Sequence, residues 1–426
     1  MTATAAAPSP IPTRDVAVIG TVGLVHSTSH LFQFALPPMF PLLQAEFDVN
    51  YAALALVIST SYVASGLGQA FVGIIVDRYG GRVSLACGTT ALSVGIGGMA
   101  FATDFWMLFP LALIAGAGNS VFHPADFSIL SSRVSPHLTG RAFAIHAFGG
   151  TLGFAAAPVL LSTLGFAFGW RTALMLALVY GLAQALIVWQ AKDLLGAGHH
   201  GAHPVRKESP REVLAGFGKL MTMPALLAAF AYLSMTSMAG GAVQSFGAAT
   251  LSLLYSVDYQ TATVAVALYL GGQAIGILAG GFLADATDRH ELVAGVGLVI
   301  AGAFILAILL PDRPYFFAEA CFALAGVAGG VTAASRDLLV KKVAPAGAMG
   351  RTFGLVYSGF DIGLLIGPFV AGVLLDMGKP TLVPVAIALV FCSTFLVIRA
   401  VDAFGRANQA AKAKAAAEAM ISLRME

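Results

Sequence analysis

Twelve long apolar stretches, each about one bilayer crossing in length, constrain this chain more than any other feature. They fall at residues 16–36, 51–76, 83–102, 105–132, 141–164 and 170–191. After a polar stretch, six more follow at 221–250, 260–284, 292–310, 315–340, 352–375 and 381–401. A helix needs roughly 20 apolar residues to cross the hydrocarbon core. Backbone in lipid must satisfy its own hydrogen bonds, which leaves only helices or a closed barrel. A barrel would alternate apolar and polar over about ten residues, whereas these runs are continuous, so helices are expected. Composition agrees: 10% of residues are charged and mean hydropathy is +0.85, against about 25% charged in a soluble domain. The net charge of +2 gives no footing for nucleic acid. Cys87, Cys321 and Cys392 stand alone within apolar runs, with neither disulfide nor metal spacing. Residues 1–15 lack a basic region followed by a short apolar core and cleavage site, so they read as a tail rather than a signal peptide.

The basic residues set the orientation. With both termini in the cytoplasm, 19 of the 23 Lys and Arg lie inside; Arg171, Arg313 and Lys379 lie outside, and Arg336 lies within a span. The expected layout is a cytoplasmic tail (1–15), a six-helix bundle (16–191), a cytoplasmic linker (192–219), a second six-helix bundle (220–401) and a C-terminal tail (402–426). The linker carries His199, His200 and His203 beside five basic residues.

The halves repeat one another. Gly73 and Asp77 follow span 2 with Arg78 and Arg82; Gly281 and Asp285, followed by Arg289, occur 208 positions later after span 8. A second set is offset by 210: Gly140-Arg141 and Gly350-Arg351, then Gly149/Gly359, Gly153/Gly363 and Pro158/Pro368. Two six-span halves related by a parallel repeat are a transporter architecture. The segment at 73–82 resembles the signature loop of the major facilitator superfamily, and the resemblance narrows to its fosmidomycin-resistance type. Residues 36–47, LPPMFPLLQAEF, resemble that family's end of span 1, and residues 116–124, GAGNSVFHP, resemble its span 4. The resemblance implies an all-α integral membrane protein, twelve helices in two pseudo-symmetric bundles. It also places His26 and Gln33 at that family's His and Gln. The chain departs at His30, where the family has an acid, and at Ala125, where it has the Glu of His-Pro-Glu; here the acid comes one residue later, at Asp126.

Charges near the bilayer centre cost roughly 2.5–3.5 kcal/mol on insertion scales, so those that persist point to function. His26, His30 and Gln33 lie at i, i+4 and i+7 of span 1, on one helical face. They are expected to line a wet cavity for substrate or protons, together with His123 of span 4. His-x-x-x-His also suits a metal, but no Cys or third carboxylate is near in sequence and no metal site is assigned. Asp361, near the middle of span 11, is either a proton carrier or a structurally paired acid. Asp126 and Arg336 are repeat equivalents, 210 apart, and invite a salt bridge that gates the cavity. Arg336 has two other options, an anionic substrate or its neighbour Asp337. Gly73, Asp77, Arg78 and Arg82, with Asp285 and Arg289, form either a cytoplasmic latch between the halves or a simple orientation signal. His146 reads as interfacial.

The reading is a monomeric secondary transporter of the inner membrane, moving a small organic solute by alternating access. The resemblance favours proton-coupled export of a drug or organic anion. Proton-coupled uptake of an organic anion is the alternative, with a transition-metal transporter or a membrane sensor behind it. No G-x-x-x-x-G-K-[ST] run is present. The proton gradient is the expected energy source, with no cofactor, and no nucleophile–base pair suggests an enzyme.

Overall fold

The computed structural model describes residues 12–196, 220–343 and 349–425, and no strand occurs among them. The first half contains α1 (Thr13–Gln33), a short α2 (Phe40–Phe47), α3 (Tyr51–Tyr79), α4 (Gly81–Gly98), α5 (Leu108–Asn119), α6 (Phe122–Arg133), α7 (Thr139–Phe168), α8 (Trp170–Gln190) and the single turn α9 (Lys192–Leu195). The second contains α10 (Pro224–Tyr255), α11 (Tyr259–Ala286), α12 (His290–Ala307), α13 (Tyr315–Val343), α14 (Met349–Asp376) and α15 (Leu382–Met425). Among the described residues, eleven stretches are long and apolar enough to cross a membrane. The twelfth span is α1, 21 residues long, whose apolarity is diluted by the polar run from His26 to His30.

Local chemistry sets several boundaries. Asn50 caps α3 by accepting from the Ala53 N–H at 2.9 Å, and Asp258 caps α11 through Thr261 at 2.9 Å. Gly80 (φ 82°) separates α3 from α4, and Gly169 (φ 86°) separates α7 from α8; a positive φ is where glycine costs least. Helix α1 opens at Thr13 with Asp15 in its first turn, so three residues expected in the tail begin the span. An acid there suits the helix N-terminus. The remainder of that tail, residues 1–11, and the linker residues 197–219 lie outside the described residues.

Span 4 is the one that departs from a single helix. It breaks at Ser120 and Val121 into α5 and α6. Pro124 explains this: it has no N–H to bond the Ser120 carbonyl four residues earlier. Its counterpart in the second half, α13, runs unbroken.

Within the first half α1 packs on α7, α4 on α8, and α3 and α4 on α5; within the second α10 packs on α14, α11 on α13, and α12 on α13 and α15. The repeat is visible in this packing. A Cβ on Gly153 of α7 would collide with the Ser27 carbonyl of α1; one on Gly363 of α14 would collide with the Ser234 carbonyl of α10. Small residues let backbones approach closely where lipid provides no hydrophobic drive.

Two helix pairs join the halves, α3 with α14 and α7 with α11. They close one face tightly. Tyr51 and Ala52 N–H donate to Asp376 at 2.9 and 2.8 Å, Tyr259 OH donates to the Pro37 carbonyl at 2.6 Å, and Ser162 meets Thr263 at 3.3 Å. Phe40 and Phe246 pack between them, ring centres 5.1 Å apart. All of these lie at the face opposite the termini.

At the face bearing the termini, the halves part. On α3 the side that meets α14 through Ser59, Gly66 and Gln69 continues, at helical spacing, to Gly73 and Asp77. A Cβ on Gly73 would meet nothing within 4 Å, and the same holds for Gly281. The expected latch is therefore not formed. Asp77, Arg78, Asp285 and Arg289 are exposed, and none of them makes an ion pair among the described residues. Arg78 lies over the Tyr79 ring at 5.3 Å. Arg82 donates to the Gly196 carbonyl at 2.8 Å and to the Trp189 carbonyl, tying the start of α4 to the end of α8 within its own half. No neighbouring helix approaches Gly73 closely in this arrangement, because the face it would serve is open.

Candidate functional site

Three helices converge their ionisable residues in the first half. His26 and His30 come from α1, His123 and Asp126 from α6, and His146 from α7. Asp126 is wholly buried, and His26 and His146 are 2% exposed. His146 Nε2 lies 2.9 Å from Asp126 Oδ2 and is its hydrogen-bond partner. His26 Nδ1 is 3.1 Å from the same oxygen, within ion-pair range but off the line of a hydrogen bond. The His26 and His146 rings stack with centres 3.6 Å apart. His30 meets His26 edge-on at 4.6 Å, and His123 lies 5.1 Å from His26. His123 is the exposed member.

On α6, His123 and Asp126 share one stripe three residues apart, turned toward α1 and α7. Glycines in α7 do the rest. A Cβ on Gly150 would meet His26 Nε2 at 2.9 Å and His30 Nε2 at 3.0 Å, so two imidazole nitrogens reach into space that only glycine leaves.

The Asp126–Arg336 gate is not made. Asp126 faces the histidines, and Arg336 Nε donates to its neighbour Asp337 at 2.8 Å. Tyr357 OH donates to the same Asp337 oxygen at 2.8 Å, and Arg336 reaches the Tyr357 hydroxyl at 3.4 Å. Equivalent positions in a repeat carry equivalent backbone, but each charge here found a partner within its own bundle. His146, expected at the interface, is buried in the cluster. The signal that could have found it is the stripe His146, Gly150 and Gly153, which packs α7 on α1.

A chain of amides and hydroxyls leads away from α1. Gln33 Nε2 donates to Asn119 Oδ1 at 2.9 Å, and Asn119 Nδ2 donates to Ser65 Oγ at 2.9 Å. Gln69 on the same helix as Ser65 reaches Ser65 Oγ at 3.5 Å and Asp361 Oδ2 at 3.4 Å. Asp361 thus stands at the seam between the halves, with its carboxylate against Gly66 of α3. Neither Asn119 nor Ser65 was singled out from the sequence. Small polar residues in spans are common, and only the packing shows that these two connect.

Two bundles of membrane-crossing helices, joined at one face and parted at the other around buried polar groups, define a helical membrane transporter. The sequence model of the Major Facilitator Superfamily matches residues 22–259 and 225–424. The chain belongs to that superfamily. It is 26% identical over 371 residues to the uncharacterized MFS-type transporter YfnC of Bacillus subtilis, covering 86% of this chain and 88% of the relative. It is 25% identical over 370 residues to the fosmidomycin resistance protein of Escherichia coli, covering 84% and 86%. A crystal structure of a bacterial homolog of the human lysosomal transporter Spinster, inward-facing and occupied, shares the fold with a TM-score of 0.70 at 18% identity, covering 92% of this chain and 96% of that one.

Proposed function

We propose that the protein is a proton-coupled exporter of small organic solutes. It works as a monomer in the inner membrane with both termini in the cytoplasm and has no bound cofactor. The bias of 19 of 23 basic residues to one side supports the orientation, which makes the parted face the cytoplasmic one. Export is supported by the name of the resistance protein it resembles.

One observation carries the coupling. Asp361 sits between α14 and α3 where the contact between halves ends, touching Gly66 and within reach of Gln69. A carboxyl at that point carries a negative charge when ionised and can donate a hydrogen bond when protonated. The two forms therefore weigh the closed and parted arrangements of the seam differently, which is the differential interaction a population shift requires. Arg336 pairs with Asp337, which favours export over anion uptake through that residue.

Proteoliposomes with an internal pH dye provide the test, with fosmidomycin as probe. Solute addition should move protons through the parent protein. Asp361→Asn should keep exchange of solute down its gradient while losing the proton signal and accumulation. Proton movement unchanged in Asp361→Asn would remove this residue from the coupling.

A further inference from the structure

We propose that His26, His30 and His123 form a binding site for one divalent first-row transition ion of zinc-like preference. One ring nitrogen from each can be chosen so that all lie within 4.8 Å of one another. Imidazole is a preferred ligand for Zn, Ni and Cu ions. Tetrahedral zinc with bonds of about 2.0–2.1 Å needs its nitrogens roughly 3.4 Å apart, so the trio must close by up to about 1.4 Å. His123, the exposed member of the trio, would move toward the two histidines of α1 on binding.

Three further observations point to a ligand. Both ring nitrogens of His30 are buried without a hydrogen-bond partner, and buried polar groups are seldom left so. Gly150 leaves the space into which His26 Nε2 and His30 Nε2 both reach. Asp126 lies beside His26 Nδ1 at 3.1 Å. A small turn of the ring would let Nδ1 donate to that carboxylate, giving the carboxylate–histidine pair that orients a metal ligand and leaves Nε2 to bind. His146, on the same Asp126 oxygen, completes the outer support. Three protein ligands leave a fourth position open, the mark of an exchangeable rather than a structural site. The sequence alone had offered only His-x-x-x-His on α1; the third ligand comes from α6, roughly a hundred residues away.

The site is independent of proton coupling at Asp361, and its test measures binding without transport. Untagged protein carrying His199→Ala, His200→Ala and His203→Ala, which removes the histidines of the linker, would be titrated with Zn2+ by calorimetry and with Co2+ by visible absorption. The expected result is one equivalent of Zn2+ and intense Co2+ bands of a low-coordinate site. His30→Ala and His123→Ala should each weaken Zn2+ binding by at least ~100-fold, beyond the ~10–100-fold expected for the supporting Asp126→Asn. If His30→Ala does not fold, the exposed His123 keeps the test open. Failure of the starting protein to bind Zn2+, or binding unchanged in His123→Ala, would overturn the site.

Discussion

Asp376, the last residue of α14, accepts the Tyr51 and Ala52 N–H groups at the start of α3 and so caps a helix of the other half. The free N–H groups and the helix dipole favour a carboxylate there. Loss of such a cap costs about 1 kcal/mol, roughly a fivefold change in an equilibrium. Asp376→Ala should therefore loosen the closed face. Ser162→Cys, placed beside Thr263 in that face, should react about fivefold faster with a membrane-impermeant maleimide in the Asp376→Ala background. Equal rates in both backgrounds would show that other contacts hold the closure.

Arg336 should couple energetically to Asp337 and not to Asp126. A double-mutant cycle on detergent-solubilised protein should give about 0.5–3 kcal/mol for Arg336→Ala with Asp337→Ala, as for residues in contact. Arg336→Ala with Asp126→Ala should add within about 0.5 kcal/mol, as for separate sites. Exchanging the two charges, Asp126→Arg with Arg336→Asp, should rescue nothing. A rescued double variant would restore the gate between the halves.

Gly73 and Gly153 should respond oppositely to alanine. Gly73 has open space around it, and alanine in a helix gains roughly 0.5–1 kcal/mol over glycine. Gly73→Ala should therefore keep or raise the melting temperature. At Gly153 the new methyl collides with the Ser27 carbonyl, and overpacking costs about 1–3 kcal/mol. Thermal unfolding of both variants in one detergent decides the matter; a Gly73→Ala protein as unstable as Gly153→Ala would contradict the parted face.

Asn119 links α1 to α3 by accepting from Gln33 and donating to Ser65, both at 2.9 Å. Asn119→Ala leaves the Gln33 amide without its partner and removes one of the two donors that reach Ser65 Oγ, at about 1–3 kcal/mol for a group left unpaired. Stability should fall by that amount, and Gln33→Ala should add little to it because both variants break the same link. Fully additive losses would mean that the two residues act separately.

Much of the architecture was legible in the chain. The spans follow from the lengths of apolar runs, and the repeat from Gly73/Gly281 and Gly153/Gly363, because both are local patterns that lipid imposes on any helix. The stripe His26, His30 and Gln33 was legible for the same reason. Pro124 stood in plain view as a cause of the division between α5 and α6, but that His123 and Asp126 face α1 is shown only by the packing.

Only the tertiary structure decided the pairings. Asp126 met His26 and His146 rather than Arg336, because the small residues of α7 bring its backbone against α1 within the first bundle, while Arg336 had Asp337 beside it. The loop motif around Gly73 and Asp77 is present in the sequence, but whether it is joined depends on which of two packings the halves adopt. Sequence fixes the helices and their polar faces through short-range periodicity; which faces meet is set by the balance of contacts over the whole molecule, and that balance can change without altering a residue.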